Sequence, residues 1–252
     1  MARSLSAMPI FEKVEQVPAY RLLADRIADQ ILAGQIKPGE QLPPEISLAE
    51  QFGVHRSTVR EGIRLLEETG MLRRRSQKRL VVSVPDGARL AERSVQALVM
   101  RKVSVRSLYE ANLALDPVIA RLAAGSATAA QLKRMRDNVE ETRLAPDHDT
   151  LAALDAEFHL LLCEATNNEI FQVMRQPLHD LFMPMVSDLV RTIDTSDRMV
   201  AAHERIIVAL ENRDSEEAEA WARRHLEDFK RGYLKAGLDF DSPVTYLGSA
   251  TA

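Results

Sequence analysis

Four side chains that commonly bind divalent metals are distributed over helical segments in the second half of the chain. Asp155 and His159 are four residues apart and therefore lie one turn apart on the same face of a helix. His203 and His225 fall in two later segments with helical spacing. Three imidazoles and one carboxylate suit Zn²⁺, Ni²⁺ or a similar divalent ion, with open positions for water or a ligand. Spacing alone leaves histidines packed inside helices as the alternative.

A second group of residues has the chemistry to bind a polyanion. Residues 55–79 contain eight basic and three acidic residues, although the whole chain has a formal net charge of -4. Arg56 and Arg60 share one helical face, while Val59 and Ile63 mark the opposite face. Arginine can form two hydrogen bonds to a guanine edge, or it can bind phosphates. A confined basic surface on an acidic protein favours nucleic-acid binding, with a solvated charged face as the alternative.

The elements that must position these residues differ between the two parts of the chain. Residues 18–85 combine short helical patterns with two β-prone segments around a basic turn, which predicts a winged helix-turn-helix domain after a flexible arm at 1–17. Residues 92–240 show only helical patterns and predict an all-α bundle, with a linker at 86–91 before it and a tail at 241–252 after it. The predicted fold is therefore mainly α.

The helix-turn-helix layout predicts how the first domain meets DNA. The second helix of the pair places its N-terminal residues in the major groove, and the hairpin contacts phosphates. The predicted DNA-binding residues are His55, Arg56, Ser57, Thr58, Arg60, Arg75, Lys78 and Arg79. One such helix covers too few base pairs for specificity, so a homodimer on a palindromic site is expected.

Composition excludes several other classes of protein. The single cysteine, Cys163, cannot form an internal disulfide, which argues against a disulfide-stapled secreted domain. No charge-free apolar stretch approaches the roughly 18 residues that a membrane span needs. The apolar run from Leu5 to Phe11 is interrupted by Ser6 and Pro9 and makes a poor signal peptide. The expectation is a soluble cytoplasmic protein with no membrane partner.

The first domain resembles a known family. Residues 34–43 fit the pattern G-x-[ILV]-x-P-G-x-x-L-P, and residues 48–61 continue as L-A-E-Q-F-G-V-H-R-S-T-V-R-E. Over about residues 20–84 the chain is similar to GntR-type bacterial transcription regulators. The resemblance implies that the DNA-contact positions are Arg56, Ser57, Thr58 and Arg60.

Three departures from the family pattern concern DNA binding. His55 stands where the family usually has Ser or Thr, and histidine is a poor helix cap. Ile46 stands where many relatives carry an arginine that helps to read the operator. Residues 77–79 replace the usual Gly-x-Gly of the hairpin tip with Gln-Lys-Arg. The base preference of relatives therefore does not transfer to this chain.

The second domain resembles the FCD ligand-binding domain of the FadR subfamily over about residues 92–236. The matching patterns are D-x-x-F-H at residues 155–159, H-x-x-I at residues 203–206 and a segment that ends in His225-Leu226. Metal-binding members of that family use one Asp and three His. The resemblance thus implies a divalent metal cofactor held by Asp155, His159, His203 and His225.

The expected effector site departs from the family. Relatives often carry Arg and Glu where this chain has Asn112 and Asp116, which are the predicted effector-binding residues. A neutral amide cannot give charge-assisted, bidentate binding of a carboxylate. A weaker acid, a carboxylate held by the metal alone and a small molecule without a carboxylate all stay open as effectors.

Two functions of different class follow from these residues. The favoured one is a ligand-responsive transcription regulator, expected to be a repressor and not an enzyme. The alternative is a metal-dependent hydrolase that uses the Asp/His cluster to activate water. Neither Glu157 nor Glu204 is clearly placed as its general base, and the motif of residues 36–61 has no use in an enzyme. A DNA-packaging protein is excluded by the negative net charge.

Overall fold

The computed structural model describes residues 17–76, 79–85 and 87–246 and divides the chain between Asp86 and Gly87. The first unit contains α1 (Ala19–Leu32), α2 (Glu45–Phe52), α3 (Arg56–Glu68), β1 (Leu72–Ser76) and β2 (Arg79–Val82). The two strands pair antiparallel, with Leu72 opposite Val82, and Gln41 adds an isolated bridge to Val81. This is the winged helix-turn-helix that the sequence predicts.

The first unit is built around the buried faces of α1 and α3. Leu23 and Ile27 of α1 pack with Val59, Ile63 and Leu66 of α3, and the inner residues of the hairpin complete the cluster. The turn between α2 and α3 is tight because Gly53 adopts a left-handed conformation, with φ of 64°, which glycine adopts at little cost. The short turn fixes the start of α3 beside α2.

The second unit is helical throughout its described elements. They are α4 (Gly87–Met100), α5 (Val105–Ser126), α6 (Ala129–Arg143), α7 (His148–Glu164), α8 (Glu169–Thr192), α9 (Ser196–Glu211) and α10 (Ser215–Lys235). The most extensive packing joins α5 to α10 and α7 to α8. Two apolar clusters fill the interior, one around Phe158 and Ile206 and one around Leu181 and Phe229. The predicted mainly α fold with an all-helical second domain is confirmed.

Side-chain oxygens set the start of several of these helices. Thr128 forms a capping box with Gln131 at the start of α6, as its position in the sequence suggests. The caps of α7 and α10 are Asp147 and Asp214, which accept from the N–H groups of Thr150 and Glu217. Each carboxylate accepts a backbone N–H of the first turn and also suits the positive end of the helix dipole.

Two boundary assignments differ from the structure. Residues 87–91, assigned to a linker, already belong to α4. Residues 241–246, assigned to a tail, pack against the second unit: Val244 is buried, and its N–H donates to the Val103 carbonyl at 2.8 Å. Burial of apolar side chains orders this segment although it has no helical or strand period. Residues 1–16 of the predicted arm and residues 247–252 lie outside the described part.

Proline does not interrupt α8. A proline removes one helical hydrogen bond and crowds the preceding turn, so Pro184 is expected to kink or break the helix. Instead α8 is continuous from Glu169 to Thr192 and contains both Pro177 and Pro184. Leu181, Met185 and Leu189 are buried along its inner side, and this packing holds the helix together across the missing bond.

Two further observations concern membrane-spanning helices and the single cysteine. Within the described residues, none of the helices has the length and apolar composition to cross a membrane. Cys163 in α7 is 1% exposed, and burial raises the pKa of its thiol to about 11. The thiol is therefore protonated and enclosed at neutral pH.

The contact between α1 and α3 depends on the missing side chain of Gly62. A Cβ there would lie 2.7 Å from Leu23 Cδ2 and 2.9 Å from the Tyr20 carbonyl oxygen, and the carbonyl belongs to the backbone and cannot rotate away. Gly62→Ala is expected to lower the free energy of unfolding of the first unit by about 1–3 kcal/mol, through overpacking. Urea unfolding followed by circular dichroism measures the change.

The control for Gly62→Ala is Gly125→Ala in α5. Nothing lies within 4 Å of the Cβ at Gly125. That substitution is expected to raise stability by about 0.4–1 kcal/mol, because alanine restricts the unfolded chain more than glycine does. A Gly62→Ala protein as stable as the parent would show that α1 and α3 can separate freely.

Candidate metal centre and nucleic-acid interface

Three helices bring the four predicted metal ligands together. Asp155 and His159 extend from one face of α7, His203 from the middle of α9 and His225 from the middle of α10. His225 Nε2 lies 3.3 Å from His159 Nε2 and 3.3 Å from His203 Nε2. Asp155 Oδ1 lies 3.4 Å from His203 Nε2. One ligand atom from each of the four residues falls within 4.8 Å of every other.

The cluster is buried and electron-rich. Asp155 and His203 are 3% and 0% exposed. Burial is the main cause of a lowered pKa at His203 and at His225, where the pKa falls to about 3, so both imidazoles are neutral at pH 7. Burial alone would raise the pKa of Asp155, but His203 and the neighbouring imidazoles hold it below its usual value. The aspartate is therefore an anion beside the neutral rings of His203 and His225.

This arrangement fits a divalent cation. A neutral imidazole has one N–H and one lone pair, so three Nε2 atoms that face one another cannot all be satisfied by mutual hydrogen bonds. Nitrogens bound to one tetrahedral Zn²⁺ at roughly 2.1 Å would lie roughly 3.4 Å apart, close to the separations of 3.3 Å found here. Nitrogen donors with one carboxylate suit Zn²⁺, Ni²⁺ and related ions.

A buried ion pair of Asp116 and Arg175 lies next to the Nδ1 side of His159. Asp116 Oδ2 of α5 lies 3.1 Å from His159 Nδ1, and Asp116 Oδ1 lies 3.1 Å from Arg175 Nε of α8. Burial opposes the charge of Asp116, but Arg175 and His159 together lower its pKa. The tautomer with its proton on His159 Nδ1 would direct that proton toward this carboxylate and the Nε2 lone pair into the cluster. Carboxylates that orient metal-binding histidines in this way are common in metal sites.

The predicted effector residues occupy different surroundings from those expected. Asp116 is committed to Arg175 and His159 and is 2% exposed. Asn112 is fully buried, and its Nδ2 donates to the Leu108 carbonyl at 2.8 Å. Arg175 was missed at the sequence level, although a signal exists. Its position follows Phe171 by four residues and precedes Leu178 by three, so a cation falls on the apolar stripe of α8.

Aromatic packing orients His203. The Phe158 ring stacks on the His203 ring with a centroid distance of 3.7 Å and an interplanar angle of 6°. His203 Nδ1 is buried without a hydrogen-bond partner in the described part of the chain. Because Nδ1 bonds no group in the described residues, the plane of this imidazole is set by the flat contact with Phe158 together with Asp155 at Nε2.

Two further histidines, and the two glutamates considered as a general base, differ in exposure and in partners. His148 is exposed, whereas His179 is half-buried, and burial followed by the charge of Arg175 lowers the pKa of His179 to about 4. Glu157 is exposed and accepts a hydrogen bond from Asn138, while Glu204 pairs with an arginine of α6. Neither glutamate faces the cluster, so the general base that a hydrolase needs is missing from both positions considered for it.

The start of α3 presents most of the predicted DNA contacts to solvent. His55, Arg56, Ser57 and Arg60 are exposed, and Thr58 is half-buried. His55 occupies the N-cap position and makes no capping hydrogen bond with its side chain, as the departure from the family pattern predicts. The N–H groups of the first turn are therefore not capped by this side chain, and helix N-termini of this kind bind phosphates.

A groove adjoins this helix start. It is lined by Pro43, Pro44, Glu45, Ile46, Arg56, Arg60, Arg74 and Leu80. Glu45 lies 3.5 Å from Arg60 and 3.4 Å from Arg74, so one carboxylate holds both guanidinium groups at the groove. Sequence reasoning missed the part played by Glu45. Arg75 and Arg79 are exposed on the hairpin, and Lys78 lies outside the described residues.

Comparison with known proteins finds a matching family for each of the two units. The family of bacterial regulatory proteins called gntR matches residues 19–82, and the FCD domain matches residues 107–228. The Uxu operon transcriptional regulator of Escherichia coli K12 is 30% identical over 86% of this chain and 87% of its own length. The HTH-type transcriptional regulator LutR of Bacillus subtilis strain 168 is 29% identical over 80% of this chain and 96% of its own.

A solved structure extends the similarity to the fold. Streptococcus agalactiae GntR superposes with a TM-score of 0.63 at 26% identity and covers 84% of this chain and 99% of its own.

The buried ion pair behind His159 gives a stability prediction. Asp116→Asn is expected to lower the free energy of unfolding by about 3–5 kcal/mol, because it leaves the Arg175 charge buried and uncompensated. Adding Arg175→Met removes that charge, so the double variant is expected to recover most of the loss. Urea titrations in the presence of a chelator separate this effect from any bound metal. Equal losses in the single and double variants would contradict the charge argument.

Proposed function

Because the chain belongs to the GntR family of bacterial transcription regulators and carries an FCD domain, we propose that it binds palindromic operator DNA as a homodimer. We further propose that a divalent metal and a small-molecule effector in the second unit control this binding. The family and these relatives are transcriptional regulators rather than enzymes, so the hydrolase alternative has no support.

The exposed start of α3 supports the DNA-binding part of the proposal. Arg56 and Arg60 are exposed and lie one turn apart beside a groove, from which either guanidinium could reach a base edge or a phosphate once Arg60 exchanges Glu45 for DNA. Arg75 and Arg79 add positive charge on the hairpin. Two such units related by a twofold axis would read the two halves of a palindrome, which is the reason for proposing a homodimer.

One observation carries the metal proposal: three imidazole Nε2 atoms and a carboxylate oxygen converge in a buried cluster. Asp155, His159, His203 and His225 would hold the ion. Asp116 orients His159 from behind, and Phe158 fixes the plane of His203. A bound divalent cation supplies positive charge and open coordination positions for an anionic ligand.

The proposed control of DNA binding by an effector requires that the effector bind two forms of the dimer with different affinity. An effector changes DNA affinity only if it binds the DNA-competent and the DNA-incompetent dimer unequally. A coupling of about 1–3 kcal/mol would alter operator affinity by about 5- to 150-fold. We propose that the protein acts as a repressor, so that an effector with higher affinity for the DNA-incompetent form releases the operator.

Arg60 provides the test of DNA binding. Arg60→Ala is expected to weaken operator affinity by about tenfold, as one lost charged contact to a base or phosphate would, while the fold and metal content stay unchanged. Arg121→Ala is the control, since it removes one exposed arginine from the helical unit. Fluorescence anisotropy with operator DNA measures both affinities. An Arg60→Ala protein that binds as tightly as the parent would remove the start of α3 from the interface.

Elemental analysis tests the metal proposal. The parent is expected to retain about one divalent ion per chain after mild dialysis, and His203→Ala combined with His225→Ala is expected to abolish retention because only two ligands remain. His148→Ala, at an exposed histidine outside the cluster, is expected to keep full occupancy. Full occupancy in the double variant would mean that other residues hold the ion.

A further inference from the structure

An exposed apolar side chain lies among the charged residues of the groove beside α3. Ile46, the second residue of α2, is 53% exposed and lines this groove together with Arg56 and Arg60. The buried residues of α2 are Leu48 and Ala49, so packing within the first unit does not require an apolar residue at position 46. Single exposed apolar residues are common on proteins. Ile46 differs from them because it lies on the surface that is proposed to face DNA.

The Ile46 side chain and the Arg60 guanidinium occupy the same part of the groove. Arg60 Nη2 lies 3.5 Å from a carboxylate oxygen of Glu45, the residue that precedes Ile46. The Arg60 side chain therefore extends from α3 to the beginning of α2. A base edge that Arg60 binds on leaving Glu45 would lie within reach of Ile46 as well.

The chemistry of isoleucine limits what Ile46 can recognise on DNA. Its side chain has no hydrogen-bond donor or acceptor, so it cannot bond to the polar edge of a base. The C5 methyl group of thymine is the apolar feature that base pairs present in the major groove. Contact between this methyl group and Ile46 removes apolar surface of both from water, which favours the complex. Pro43 and Pro44 line the same groove and add to its apolar surface.

The charges around Ile46 favour DNA over an apolar protein partner. The lining contains three arginines and one glutamate, Arg56, Arg60, Arg74 and Glu45. Glu45 pairs with both Arg60 and Arg74, which leaves an excess of positive charge at the groove. This excess attracts phosphates. An apolar partner would instead bury guanidinium groups without compensating charge, which is costly.

We propose that Ile46 is a specificity-determining residue that contacts the C5 methyl group of a thymine in each operator half-site. Arg60 exchanges Glu45 for a phosphate or a base edge, and Ile46 packs against the methyl group of a thymine beside it. This inference rests on the proposed binding of DNA by the start of α3. It adds a base identity to that proposal, namely a T·A pair next to the position that Arg60 contacts.

Deoxyuridine provides the test, because it lacks the C5 methyl group of thymidine and pairs with adenine in the same way. Binding sites are first selected from random duplex DNA by the full-length protein. Each thymine of a selected palindrome is then replaced by uracil in both half-sites. At one symmetric pair of thymines, the affinity is expected to fall by about fourfold for each half-site, as loss of one buried methyl group predicts. Fluorescence anisotropy measures the dissociation constants.

Ile46→Ala separates this contact from other effects of the methyl group, such as a change in DNA shape. At the sensitive position, the ratio of thymine to uracil affinity is expected to fall to about one in this variant, because the interacting partner is gone. Leu22→Ala is the matched control, since Leu22 of α1 is also 53% exposed but does not line the groove. It is expected to keep the parent ratio. Parent ratios in Ile46→Ala at every thymine would overturn the proposal.

Ile46→Arg tests the same position by gain of a different contact. Arginine can form two hydrogen bonds to O6 and N7 of guanine. Selection repeated with this variant is therefore expected to yield guanine at the base pair where the parent selects the sensitive thymine. An unchanged base at that position would contradict the placement of residue 46.

Arg60→Ala on the selected sites distinguishes the two proposals. A large loss of affinity in Arg60→Ala, with equal thymine and uracil affinities at every position in the parent, would overturn the role of Ile46 and support the start of α3 as the DNA interface. A selected palindrome without thymine would have the same meaning. Failure of the parent protein to select any sequence would overturn both proposals.

Discussion

The close approach of three imidazole Nε2 atoms and one carboxylate inside a helical core is the constraint around which the second unit is arranged. Helices α7, α9 and α10 carry these groups, and each must hold its ligand residue at one height and one rotation for the Nε2 atoms to approach within 3.3 Å. Burial of a carboxylate and three imidazoles opposes folding unless opposite charge or hydrogen bonds compensate. The surrounding residues supply part of that compensation, and a cation would supply the rest.

The compensation extends through the core as a chain of polar contacts. Arg175 neutralises Asp116, Asp116 orients His159, and His159 faces the cluster. These contacts connect α8 to α5 and α5 to α7, so the polar chain also ties together helices that are distant in sequence. Apolar clusters on either side of it exclude water, which strengthens each electrostatic contact. A shift of the cluster residues would therefore change the packing of several helices.

Local sequence patterns predicted the fold more fully than they predicted the surroundings of the site. Helix positions followed from hydrophobic period and caps, and the four ligand residues followed from family motifs, although their use in metal binding stays a prediction. Arg175 could not be assigned a partner, because Asp116 lies 59 residues away and only the packing of α5 on α8 joins them. The docking of Val244 and the continuity of α8 through Pro184 likewise depend on tertiary contacts that outweigh local preference.

The enclosed thiol of Cys163 has a practical consequence for spectroscopy. It is the only cysteine in the chain, and its burial and raised pKa keep it unreactive toward maleimide and similar reagents in the folded protein. A cysteine introduced at an exposed position, such as Arg79 on the hairpin, would then accept a fluorophore or spin label selectively without prior removal of the native thiol. In the proposed homodimer, distances between the two labelled chains could then be followed in solution while metal and ligand are added.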